Sequence, residues 1–193
     1  MQLVNSFDFF RPVNFPDVWN EMDKDDIARC ANLQGQHPFF NATNFKVPNT
    51  VIQLLKDIGL TMYVEGSFLF NIKQMYDGPI HTDGFPPDYQ RLVGLNWTWF
   101  GENTSMHWYK QVGEPKFLPY RNINVPVFDS SNTEEVFSSE LLGCNLVNIK
   151  DPHQVKSRSD KMRFTLSISF EGNPSWDEAT ELFQDYFRDR RRD

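Results

Sequence analysis

Met162-Arg163-Phe164-Thr165-Leu166-Ser167-Ile168-Ser169-Phe170 is the stretch that decides how this chain folds. Apolar and polar residues alternate along it without a break, and a period of two marks a β-strand with two unlike faces. Met162, Phe164, Leu166, Ile168 and Phe170 make one face continuously apolar, while Arg163, Thr165, Ser167 and Ser169 make the other polar. Such a strand fits the wall of a β-barrel or sandwich with helices against the apolar face and a wet cavity on the other. Arg163 and Thr165 on the cavity face have the chemistry to bind a carboxylate, one through its two-pronged fork and one through its hydroxyl.

The same period extends outward. Leu92–Phe100 and Leu142–Lys150 read as strands, and Asn96 and Thr98 share a face opposite Val93, Leu95, Trp97 and Trp99, so Asn96 joins the candidate cavity lining. Thr104–Lys110 is a further strand with His107 at its middle, read as structural. Weaker strands are expected near Phe117, over Val125–Phe128 and over Glu135–Ser138. Thr61–Tyr76 reads as two strands split by a kink or turn at Gly66-Ser67, Asp77-Gly78-Pro79 as a turn, and Gly84–Asp88 as a loop.

Helices occupy the ends of the chain. Val18, Met22, Ile27 and Ala31 recur at helical spacing over Asp17–Ala31. Val51, Leu54, Leu55 and Ile58 form an apolar stripe between Pro48 and Gly59, residues suited to a helix start and stop. Ser175 with Glu178 makes a capping box, after which Trp176, Ala179, Leu182, Phe183, Tyr186 and Phe187 are expected on one helical face. No repeat or linker divides the chain, so one domain is expected: helical support over 1–60, a β core over 61–170 and a C-terminal helix over 174–190.

Composition bounds the function. The chain has 193 residues, 39% of them hydrophobic and 15% aromatic, the profile of a folded β-rich domain. Its net charge of −7 argues against nucleic acid or an anionic membrane as partner. The basic run Arg188, Arg190, Arg191 and Arg192 reads as a frayed helix end, and His37, beside Pro38, as a loop residue. Cys30 and Cys144 lack metal-type spacing and read as small buried hydrophobes. The start of the chain has no basic-then-apolar leader and no segment is long and apolar enough to span a bilayer, so a cytoplasmic location is expected.

The chemistry concentrates in Ile80-His81-Thr82-Asp83-Gly84. Residues i and i+2 of a strand face the same way, so His81 and Asp83 can reach one ion from one strand end. His153, just after Asp151-Pro152 and beyond the Leu142–Lys150 strand, supplies a third donor from a distant part of the sequence. Two imidazoles and one carboxylate with open positions opposite are the ligand set of non-haem Fe(II) oxygenases. Tyr76, just ahead of the motif, is a candidate hydrogen-bond donor to a bound cosubstrate.

His81-x-Asp83, then His153, then Arg163-x-Thr165 ten positions later resembles the 2-oxoglutarate/Fe(II)-dependent dioxygenase superfamily. The resemblance runs from about Phe68 to Phe170. It implies a double-stranded β-helix, or jelly-roll, buttressed by helices, with Fe(II) on His81, Asp83 and His153 and the far carboxylate of 2-oxoglutarate on Arg163 and Thr165. It further implies coupling of O2 use and 2-oxoglutarate breakdown to succinate and CO2 with hydroxylation of a small molecule or peptide side chain. The compact length resembles small bacterial and phage-encoded members. Thr165 stands where Ser is usual, and Arg163 where collagen-type prolyl hydroxylases place Lys. Two alternatives remain at this level: a non-catalytic jelly-roll binding domain that keeps the metal-site residues, and a cupin-like metalloenzyme without a keto-acid cosubstrate.

Overall fold

Two antiparallel sheets face each other, and the alternation in the sequence decides which side chains lie between them. In this computed structural model, which describes residues 5–33, 39–85, 89–120 and 123–188, the strands are numbered in chain order. The larger sheet runs β1 (Phe10–Pro12), β13 (Gly143–Asn148), β8 (Val93–Trp99), β15 (Arg163–Phe170), β3 (Met62–Ile72) and β2 (Phe39–Asn41). The smaller runs β10 (Lys116–Tyr120), β11 (Ile123–Phe128), β5 (Ile80–His81), β14 (His153–Ser157), β9 (Thr104–Gln111) and β12 (Thr133–Glu140), with β4 (Tyr76–Asp77) also paired to β14. A short hairpin, β6 (Gly84–Phe85) and β7 (Tyr89–Gln90), follows β5. The chain passes from β8 in the larger sheet to β9–β12 in the smaller, then alternates through β13, β14 and β15, which is the double-stranded β-helix.

The outer face of the larger sheet is the apolar one. Leu95, Trp97, Leu146, Leu166 and Ile168 are buried there with Cys30 of α1 (Lys24–Ala31), Val51 and Leu55 of α2 (Asn49–Asp57), and Ala179 of α3 (Trp176–Leu182). Each fully buried aliphatic side chain contributes about 1.5–3 kcal/mol relative to exposure. The two indoles of β8 keep their N–H groups bonded while buried: Trp97 donates to Pro16 O at 3.1 Å and Trp99 to Asp17 Oδ1 at 2.7 Å. These bonds fasten the N-terminal segment to the sheet. Among the described residues, no helix is long and apolar enough to cross a membrane.

Several expectations are corrected in detail. The helix expected over Asp17–Ala31 begins only at Lys24, because Asp23 takes the cap position and accepts from the N–H groups of Asp25 and Asp26. The first sixty residues are not only helical, since β1 and β2 form the two edges of the larger sheet. Of the kink or turn expected in Thr61–Tyr76 the structure has the kink, as a bulge inside the single strand β3 that carries both halves to Ile72. Within β3, Phe68 pairs with Ser167 and Tyr63 with Ser169, so the residues between bulge out. The bulge is held by Ser67 Oγ donating to Tyr63 O at 2.7 Å and accepting from Ser169 N at 3.0 Å. Asp77-Gly78-Pro79 does not turn the chain; it continues along β14, with Gly78 N–H bonded to Val155 O at 2.9 Å. The capping box at Ser175 is present, but α3 ends at Leu182, short of residue 190, and Leu182 is exposed. A short 3-10 turn at Gln184–Tyr186 follows.

Candidate metal centre

The register of the smaller sheet builds the centre. His81 ends β5, His153 begins β14, and the two are direct cross-strand partners, with ring centroids 4.6 Å apart. Asp83, two residues beyond His81, returns to the same side. Its Oδ1 lies 3.3 Å from His81 Nε2 and 3.7 Å from His153 Nε2. One donor atom from each residue fits within 4.8 Å of the others, the grouping a single ion would need.

Both imidazoles are aimed by backbone. His81 Nδ1 lies 3.0 Å from Pro79 O and His153 Nδ1 2.9 Å from Asp151 O. A carbonyl only accepts, so these bonds place the neutral rings' protons on Nδ1 and leave the Nε2 lone pairs turned towards Asp83. The charges couple accordingly. Burial works against the charged form of His81, but the hydrogen bond and charge of Asp83 outweigh it and raise its pKa above the ordinary value. Burial pushes His153 down to about 4, and the neighbouring His81 adds to that. Asp83 is raised by burial but more strongly lowered by the two histidines and Arg91, and ends well below the usual carboxylate range. Asp83 thus favours a proton on His81, while His153 resists one.

The polar face of β15 lines the interior opposite. Arg163 is 3% exposed and donates from Nη2 to Thr98 Oγ1 at 3.3 Å, and Thr98 Oγ1 is 3.3 Å from Thr165 Oγ1. Its Nε is buried without a hydrogen-bond partner among the described residues, and burial alone draws its pKa down to about 10. Among the described residues no carboxylate lies beside this guanidinium, whose fork has the chemistry to take one. Asn96 is on the same wall and accepts from Ser167 Oγ at 2.6 Å. Tyr76 is half-buried on β4 opposite Ser157, and burial raises its pKa.

Arg91 is the site residue that the sequence did not disclose. It is 6% exposed, donates from Nη1 to Asp83 Oδ2 at 3.2 Å, and donates from Nη2 to Ser167 Oγ at 2.7 Å. A lone arginine between a Pro-rich loop and a strand carries no periodic or motif signal. The other histidines lie elsewhere. His107 is on the outer face of the smaller sheet, 2.8 Å from Ser105 Oγ and 2.9 Å from Glu135 Oε1. His37 and Arg190–Arg192 lie outside the described residues, as does part of the loops flanking the centre.

No protein-family model matches the sequence, and no curated protein matches it significantly. Among the solved structures that resemble it is a non-haem monooxygenase, ThoJ in its apo form, at 15% identity and a TM-score of 0.45. The match covers 83% of this chain and 73% of that one. At that identity and score the likeness says nothing about what this chain binds.

Proposed function

We propose that the protein is a non-haem Fe(II) oxygenase that takes 2-oxoglutarate as cosubstrate and hydroxylates a small molecule or a peptide side chain. The observation that carries this reading is Arg163, a buried cation with no counter-charge among the described residues, on the wall facing His81, Asp83 and His153. A metal-only jelly-roll has no use for it, and leaving it buried is costly.

His81 and His153 would hold Fe(II) through Nε2 and Asp83 through Oδ1, the donor set of an open, three-ligand face. When bound there, the iron with 2-oxoglutarate would supply O2 activation, with succinate and CO2 as by-products. The chain's own contribution is positioning. Arg163, with Thr165 and Thr98 beside it, would take the far carboxylate of the cosubstrate and fix its reach towards the metal. The carbonyls of Pro79 and Asp151 keep both imidazoles in the ligating tautomer. Asn96 and Tyr76 would bond cosubstrate or substrate oxygens.

The test is anaerobic addition of Fe(II) and 2-oxoglutarate followed by visible absorption. A metal-to-ligand charge-transfer band is expected in the wild-type protein and in His107→Ala, and is expected to vanish in His153→Ala. No band in the wild-type protein would overturn the reading.

A further inference from the structure

We infer that Arg91 is a positioning residue for the metal centre: it occupies the outer oxygen of Asp83 and so compels one-oxygen ligation. This rests on the metal-site reading above but not on the choice of cosubstrate.

A free aspartate beside an ion can offer one oxygen or two. Here the choice is made before any ion arrives. Oδ1 already faces both imidazole Nε2 atoms, at 3.3 and 3.7 Å, while Oδ2 is taken by Arg91 Nη1 at 3.2 Å. An ion among these three residues meets a carboxylate with one oxygen committed elsewhere. That keeps the ligand count at three and leaves the remaining positions for other molecules. Two-oxygen ligation by Asp83 would consume one of them.

The guanidinium itself is anchored from behind. Arg91 Nη2 donates to Ser167 Oγ at 2.7 Å, and Ser167 Oγ in turn donates to Asn96 Oδ1 at 2.6 Å. Ser167 and Asn96 are cross-strand partners on β15 and β8, so the larger sheet holds the fork while the fork holds Asp83 at the smaller one. Gly94 completes the seat. A Cβ there would stand 2.9 Å from Arg91 Nη2, so the guanidinium would have to shift, and 3.3 Å from Asn96 Oδ1, a tight contact. The strand has no side chain at the place where the guanidinium lies across it. A lysine could not reproduce this bridge, because its single ammonium cannot reach in two fixed directions.

The experiment uses calorimetric titration of the apo protein with Co(II), the d–d absorption of the Co(II) form, and the melting temperature of each apo variant. Losing a partner that orients a metal ligand typically weakens metal binding 10–100-fold. Arg91→Ala is expected to bind Co(II) at least 10-fold more weakly and with an altered d–d spectrum. Arg91→Lys, which keeps the charge, and Ser167→Ala, which removes the rear anchor, are expected to fall between it and wild type. These two decide the matter if Arg91→Ala does not fold. Wild-type affinity and spectrum in the folded variants would overturn the inference. Absence of Co(II) binding by the wild-type protein would refute the metal centre itself, and Arg91's role with it.

Discussion

Replacing Arg163 by methionine should make the ligand-free protein more stable while removing its use for a 2-oxo acid. Methionine is about as long, unbranched and apolar, so it can follow the same path between the sheets. What it removes is a cation whose pKa burial alone draws well below the ordinary arginine value, down to about 10. At about 1.4 kcal/mol for each tenfold change, the guanidinium costs the apo fold about 3 kcal/mol. For a domain of this size each kcal/mol moves the melting temperature by about 2–4 °C, so a rise of about 6–12 °C is expected. In the same scan, 2-oxoglutarate with Mn(II) should raise the wild-type melting point. At a hundredfold excess over the dissociation constant the stabilisation is about 2.7 kcal/mol, again several degrees. Arg163→Met should lose the part of that shift due to 2-oxoglutarate, since each hydrogen bond to a charged group is worth about 1.5–3 kcal/mol. A variant that melts below wild type in the absence of ligand, or keeps the full 2-oxoglutarate shift, would show that Arg163 is a satisfied structural residue.

The protons of the centre give a second test. In the apo protein the His153 imidazole should titrate near pH 4 and that of His81 above its ordinary 6.5, read by NMR of the ring C–H signals. The lowered His153 value means that the unfolded chain takes up its proton first, so stability falls as pH drops from about 6.5 towards 4. The raised His81 value acts the other way, its stabilisation being full below 6.5 and lost as pH rises through the higher native value. Metal must displace the His81 proton, so affinity should rise with pH through that same range. Ser175→Ala, which removes the side chain accepting Glu178 N–H, should cost about 1 kcal/mol, seen as a fall of about 2–4 °C in melting temperature with metal binding unchanged.

The sequence disclosed what is periodic or local. β8, β13 and β15 are legible because every residue on them is buried or nearly so, and the two faces have opposite chemistry. The capping box at Ser175 is legible because it is built from residues three apart. β14 escaped notice: His153-Gln154-Val155-Lys156-Ser157 has one β-branched residue and no apolar face, and is a strand only because β9, β4 and β5 pair with it. That omission left His153 as a residue after a strand when it opens one, and its pairing with His81 is what brings the imidazoles together. The bulge in β3 was visible as Gly66-Ser67 but not its form, because the hydroxyl bonds that hold it come from Ser169, a hundred positions away.

Arg91 marks the deeper reason for such limits. In most sandwiches the space between the sheets is the apolar core, but here the main apolar core lies outside the larger sheet, under α1, α2 and α3. The interior wall instead carries Asn96, Thr98, Arg163, Thr165, Ser167 and Ser169, all buried. Polar groups in that position are tolerable only if each finds a partner, and they do so across strands: Ser167 with Asn96 and Arg91, Thr165 with Thr98, Arg91 with Asp83. Partnerships of this kind join residues tens of positions apart and leave no period in the sequence. Arg163 Nε is the member of this wall left over among the described residues. An arginine buried in such a wall with no carboxylate beside it among the described residues carries a standing desolvation cost, and that cost is the physical ground for testing it as the seat of an anion.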